Sequence, residues 1–197
     1  MKKILLSLAA LTVFVMAGGE YTKEVAKIDL GLDKYVGLLV NTTQSSSRVN
    51  ELDVDGDGLP EFTTSGFGLV GGVEVLRRDK LTLAIEARLL RGYATGEASE
   101  DVEVTAGNIF LKPKFTMLEH INIYGLFGST TVNYVDNYYR LDVTKTGLAG
   151  GFGIQMDIQE HFAFTYDAVW SDMESQLGLF ANPDNAAVHT VGFLYRF

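Results

Sequence analysis

From Lys34 onward the chain repeats one pattern, short segments in which apolar and polar side chains take turns. Leu81, Leu83, Ile85, Ala87 and Leu89 share one parity of such a segment, and Thr82, Ala84, Glu86 and Arg88 share the other. Farther on, Phe162, Phe164, Tyr166, Ala168 and Trp170 oppose Ala163, Thr165, Asp167 and Ser171. At the end, Val191, Phe193, Tyr195 and Phe197 oppose Thr190, Gly192 and Arg196. A period of two is that of a β-strand, whose successive side chains point to opposite faces, so each segment presents two faces to different surroundings. Eight strands are predicted, at residues 34–42, 66–76, 81–93, 103–115, 121–132, 142–158, 162–172 and 188–197.

The connections alternate in length. Long ones at 43–65, 94–102, 133–141 and 173–187 take turns with short ones at 77–80, 116–120 and 159–161, so the short turns collect at one rim and the long loops at the other. The last strand runs to Phe197 with no polar tail to cover its edge. Closing the sheet on itself pairs that edge without a partner chain, and in hydrocarbon a closed sheet is the only sheet that satisfies every backbone group. The predicted fold is therefore all-β, an eight-stranded antiparallel transmembrane β-barrel with short periplasmic turns and longer extracellular loops. A soluble sandwich also alternates, but its apolar parity is the inside. Here the polar parity is small and of mixed sign, which suits a narrow lumen. Glu74, Glu86, Arg88, Lys112, Lys114, Lys145, Gln155, Asp157, Asp167 and Arg196 are the predicted luminal residues. Glycines 147, 150, 151 and 153 would let the sixth strand bend where closure demands it. Tyr134, Tyr138, Tyr139, Trp170, Tyr195 and Phe197 are expected to form aromatic belts at the two interfaces.

Ahead of the alternating region, Lys2 and Lys3 precede an apolar run from Ile4 to Met16 and a small-residue site at Ala17, the pattern of a secretory signal peptide. That run is too short for a spanning helix. We therefore divide the chain into a signal peptide at 1–17, a lead-in at 18–33 and a barrel domain at 34–197. The sequence holds no Cys, so a lipid-modified N-terminus of the lipoprotein kind is not expected. Without Lys2 and Lys3 the 16 basic residues fall to 14 against 25 acidic ones, a formal charge of −11, which makes nucleic acid an unfavourable partner. The 21 Gly and only 3 Pro also fit a chain made of strands.

The signal peptide, the eight alternating segments and the terminal GFLYRF together resemble the bacterial outer-membrane β-barrel family, which includes the membrane domain of outer membrane protein A and small porin-like proteins. The resemblance covers residues 26–197 and rests on patterns more than on fixed residues. It implies residence in the bacterial outer membrane, contact with its lipid and lipopolysaccharide, and a monomeric barrel. It also implies that Phe197, with Tyr195, is the signal read by the barrel-assembly machinery. The chain stops at the barrel, so the peptidoglycan-binding domain of larger relatives is not expected.

One local motif suggests a ligand. DVDGDGLPE, with Asp53, Asp55, Asp57, Gly58 and Glu61, places carboxylates at alternate positions before a Gly, as suits a hard cation, and resembles the calcium loops of EF-hand and integrin-repeat type. Counted from Asp53, however, the twelfth residue is Thr64 and not a bidentate Glu. The other reading is a solvated acidic turn. No other cofactor is expected. An enzyme is not expected either: His120 and His161 fall at predicted tight turns and His189 opens the last strand, leaving no convergent nucleophile and base. Two functional classes remain. One is a structural or surface-interaction protein whose luminal charges pair into a plug, the default for a barrel this narrow. The other is a small porin passing small polar solutes or ions.

Overall fold

The computed structural model describes residues 33–46, 62–94, 102–136, 141–172 and 185–197. They form a closed barrel of eight strands, β1 (Lys34–Ser46), β2 (Phe62–Arg78), β3 (Leu81–Ala94), β4 (Val102–Leu118), β5 (Ile121–Asp136), β6 (Leu141–Asp157), β7 (Phe162–Asp172) and β8 (Asn185–Arg196). Each strand pairs antiparallel with the next, and β8 returns to β1 from Tyr35↔Arg196 to Ser46↔Asn185. The last rung continues past β8: the Phe197 amide donates to the Lys34 carbonyl at 3.0 Å and the Lys34 amide to the Phe197 carbonyl at 3.3 Å. The unprotected edge that the alternation exposed is thereby removed.

Three described turns close the short-loop rim. Asp79 and Lys80 join β2 to β3, Glu119 and His120 join β4 to β5, and residues 158–161 join β6 to β7, where the Ile158 amide donates to the Phe162 carbonyl at 2.9 Å. Asp79 has a φ of 48°, a left-handed turn conformation that Asp tolerates better than most residues. At the opposite rim β1 and β2 run farther than the hydrophobic pattern suggested. Thr43↔Thr64 and Gln44↔Thr63 stay paired although both faces there are polar. Backbone pairing needs no apolar side chain, so the alternation fades before the ladder does.

Face assignment follows parity. Leu38, Phe67, Leu69, Leu89, Ile109, Phe127, Phe152 and Phe193 stand on the outer wall as an exposed apolar band, which a membrane barrel needs and a soluble fold would hide. The predicted alternations of the third, seventh and eighth strands hold, with Glu86, Arg88, Thr165, Asp167 and Thr190 buried inside and Ile85, Phe164, Tyr166, Val191 and Tyr195 outside. Tyr134 corrects the expectation. It is buried on the inward parity of β5 with Val132, and so does not belong to an outer belt. Tyr138 and Tyr139 lie outside the described residues. Trp170 sits on the outer wall with its ring 5.4 Å from that of Phe152, and Tyr195 stacks on Phe197 at 6.3 Å.

Candidate functional site

The interior carries the chemistry. At mid-height, Arg88 on β3 reaches across to Asp167 on β7 with two parallel bonds, Nη1 to Oδ1 and Nη2 to Oδ2, both 2.8 Å. That bidentate fork is the strongest form an Arg–carboxylate pair takes. The Nε of Arg88 donates to Glu86 Oε1 at 2.7 Å, while Lys112 donates to Glu86 Oε2 at 2.8 Å and the Tyr35 hydroxyl to the same oxygen at 2.6 Å. The Tyr124 hydroxyl donates to Asp167 Oδ2 at 2.8 Å. Lys112 also lies over the Tyr124 ring, 4.1 Å from its centre, and Arg88 lies over Phe110 at 5.4 Å, so both cations are held by ring faces as well as by carboxylates.

Nearer the short-turn rim, Glu74 accepts from Lys114 at 2.6 Å and from Arg77, and Arg77 in turn pairs with Asp33. Asp157 accepts from Arg196, from Gln155 at 2.9 Å and from Asn122 at 2.9 Å. Every one of Glu74, Glu86, Asp157 and Asp167 thus has a cationic partner among Arg88, Lys112, Lys114 and Arg196, four of each sign. Such balance is what burial requires, because Glu86 and Asp167 are 1% and 0% exposed and an uncompensated charge there would be costly. Between the two layers, a cavity lined by Tyr35, Glu74, Lys112, Lys114 and Arg196 leaves about 10 Å³ for water centres. That is the room of about one water molecule. Toward the long-loop rim the inward residues change to hydroxyls and amides, Asn41, Thr43, Thr64, Asn108, Thr130 and Thr190, of which Thr130 donates to Asn108.

A family model for the outer membrane protein β-barrel domain matches residues 5–197. The chain belongs to that outer membrane β-barrel family. No curated protein matches it. Among solved structures, this outer membrane barrel is similar to Ail of Yersinia pestis, with a TM-score of 0.57 and 17% identity over 84% of this chain and 99% of that one. It is also similar to Neisserial surface protein A, with a TM-score of 0.57 and 13% identity over 83% and 97% of the two chains. OprG of Pseudomonas aeruginosa gives 0.50 and 16% over 84% and 96%. At these identities the likeness is one of fold, and with the family it places the protein in the bacterial outer membrane.

Within this outer membrane barrel, the structure brings together nearly all the polar residues expected in the lumen. Glu74, Glu86, Arg88, Lys112, Lys114, Gln155, Asp157, Asp167 and Arg196 form the network, while Lys145 is half-buried on the inward parity of β6, closer to the long loops. Tyr35, Tyr124, Asn122 and Arg77 are members that sequence reasoning missed. Tyr35 shares the parity of Asn41, which was a usable signal. Arg77 had none, because a β-bulge between Glu74 and Leu76 shifts the register and puts Arg77 on the inward parity, from which its side chain, still exposed at the rim, reaches Glu74.

Gly153 also differs from expectation, since it clears space for the network. A Cβ there would lie 2.5 Å from Tyr124 Cζ and 2.6 Å from Asp167 Cβ. The calcium-like motif at Asp53, Asp55, Asp57 and Glu61 lies outside the described residues, as does the signal peptide. Among the described residues no group of three or more His, Asp or Glu is placed to hold a metal ion. The histidines stay apart. His120 sits on a turn, His161 holds the Arg196 carbonyl through Nδ1 at 3.1 Å, and His189 faces outward against the Tyr166 hydroxyl at 3.3 Å.

Proposed function

We propose that this outer-membrane barrel is a non-catalytic structural or surface-interaction protein with a lumen closed to solutes. The observation that carries the reading is the Arg88–Asp167 fork across the interior, embedded in a layer where Glu86, Lys112, Tyr35 and Tyr124 occupy one another's hydrogen-bonding groups. A permeant ion would have to displace paired charges at a site with little water, and in a low-dielectric interior those pairs hold more tightly than they would in water. In this reading the barrel is a rigid mount. Its long loops, rich in acidic and polar residues, make contact with the surroundings, the acidic motif at 53–61 is a candidate calcium loop, and the barrel works as a monomer.

The test is conductance in a planar lipid bilayer. A closed lumen gives no stepwise current above the bare membrane, whereas reproducible unitary steps would replace this reading with a small porin. The comparison is sharpened by Arg88→Met with Asp167→Leu, which removes the fork while keeping an apolar filling. Current that appears only in that double variant identifies the fork as the barrier.

A further inference from the structure

The outer wall is not uniform. On β4, Pro113 has no N–H to give, and pairing between β4 and β5 is interrupted between Leu111↔Phe127 and Lys114↔Tyr124. Gly125 falls in the same gap, opposite Pro113 and with no side chain of its own, and its neighbour on β6 is the outward-facing Phe152. The result is a groove of about 680 Å³ on the apolar wall, walled by Leu81, Phe115, Ile123, Phe127, Phe152 and Ile154. Its size lies within the roughly 300–1,000 Å³ typical of ligand sites. The Phe127 ring leans over Gly125, so that a Cβ at Gly125 would meet Phe127 Cε2 at 2.8 Å.

The groove's depth fixes which leaflet it meets. Phe127 stands six residues up β5 from Ile121 at the short-turn rim. At roughly 3.3 Å per residue and a tilt of about 40°, that places it about 15 Å above the rim, near the midplane of the hydrocarbon core. The groove therefore runs through the periplasmic half of the membrane and opens toward the β2–β3 turn. Two cations stand at that mouth. Arg78 is exposed and pairs across the ladder with Leu81, a groove residue, and Lys80 is exposed with its carbonyl accepting the Thr116 amide at 2.8 Å beside Phe115. Asp79 and Glu119 flank them, so the mouth offers positive groups at fixed points without a large net positive field.

An apolar channel of acyl-chain depth ending on two cations at headgroup level matches one kind of molecule. We propose that this groove is a phospholipid site of the periplasmic leaflet, with one acyl chain lying against the Phe127 ring between Phe115 and Phe152 and the lipid phosphate held by Arg78 and Lys80. The site would hold one lipid in place while the remaining annular lipid exchanges, and would fill the defect that Pro113 and Gly125 leave in the wall.

Native mass spectrometry tests it. The barrel is assembled in nanodiscs of phosphatidylethanolamine and phosphatidylglycerol, transferred to mild detergent and examined for retained phospholipid. The unmodified protein is expected to keep one phospholipid per barrel. Arg78→Gln with Lys80→Gln, both exposed and neither a member of the luminal network, should reduce that retention severalfold, and Gly125→Leu, which crowds the groove at Phe127, should do the same. Heat-modifiable mobility on a gel checks that each variant is folded, and the double Gln variant keeps the test decisive if Gly125→Leu does not assemble. No retained lipid in the unmodified protein, or equal retention in the double Gln variant, would overturn the proposal.

Discussion

At Asp167 three donors meet, the two guanidinium nitrogens of Arg88 and the hydroxyl of Tyr124. Asp167→Ala would leave Arg88 buried with Glu86 as its remaining anionic partner, and breaking a buried pair from one side costs about 3–5 kcal/mol. We expect that loss in the urea unfolding free energy of the barrel in lipid vesicles. Arg88→Met together with Asp167→Leu should recover most of it, because Glu86 keeps Lys112 and Tyr35 and no charge is stranded. A double variant as unstable as Asp167→Ala would show that the fork contributes more than mutual neutralisation. Gly153→Ala tests the packing beside it. The added methyl meets Tyr124 and Asp167 at contact distances no real structure tolerates, so the same unfolding assay should register about 1–3 kcal/mol of destabilisation.

A strand in this barrel is read by its two faces, and the outer face is graded by depth. Ile85 stands near the middle of β3 on the outer wall, whereas Ser65 faces outward on β2 near the long-loop rim, paired with Tyr93. Ile85→Arg should cost about 2–4 kcal/mol, and Ser65→Arg only about 0–1, since a cation at the interface reaches water and headgroups. Equal costs in vesicle unfolding experiments would mean that Ile85 does not face the hydrocarbon. Strand number, order of turns and face assignment were all legible in the sequence, because period-two alternation is imposed by the two solvents that Leu83 and Glu86 meet. What was not legible has local causes. Arg77 was hidden because a bulge changes parity without a sequence mark, and Tyr134 because an aromatic near a rim suits either face. Tyr124 was hidden because a ring looks apolar until its hydroxyl is seen on a carboxylate, and for Tyr35 only its shared parity with Asn41 pointed inward. The defect at Pro113 and Gly125 needed both strands in register before it became visible.

Over the whole molecule, neutrality inside and apolarity outside are joined by a single seam, the pairing of β1 with β8. Phe197 holds the end of that seam by two backbone bonds to Lys34 and a ring stacked on Tyr195. Deleting Phe197 is expected to lower the amount of heat-modifiable barrel in outer-membrane fractions while leaving synthesis and export unchanged. Normal amounts of assembled protein would show that the other rungs of the seam suffice. The seam also orders events in time. Its two halves stand at opposite ends of the described chain, and pairing partners so distant in sequence come together slowly. Until β8 arrives, β1 offers an open row of amides and carbonyls to any neighbouring strand. The same ring that is so well sealed when finished is thus at its most vulnerable just before the final strand docks, and whatever holds the unfinished sheet must guard two edges at once.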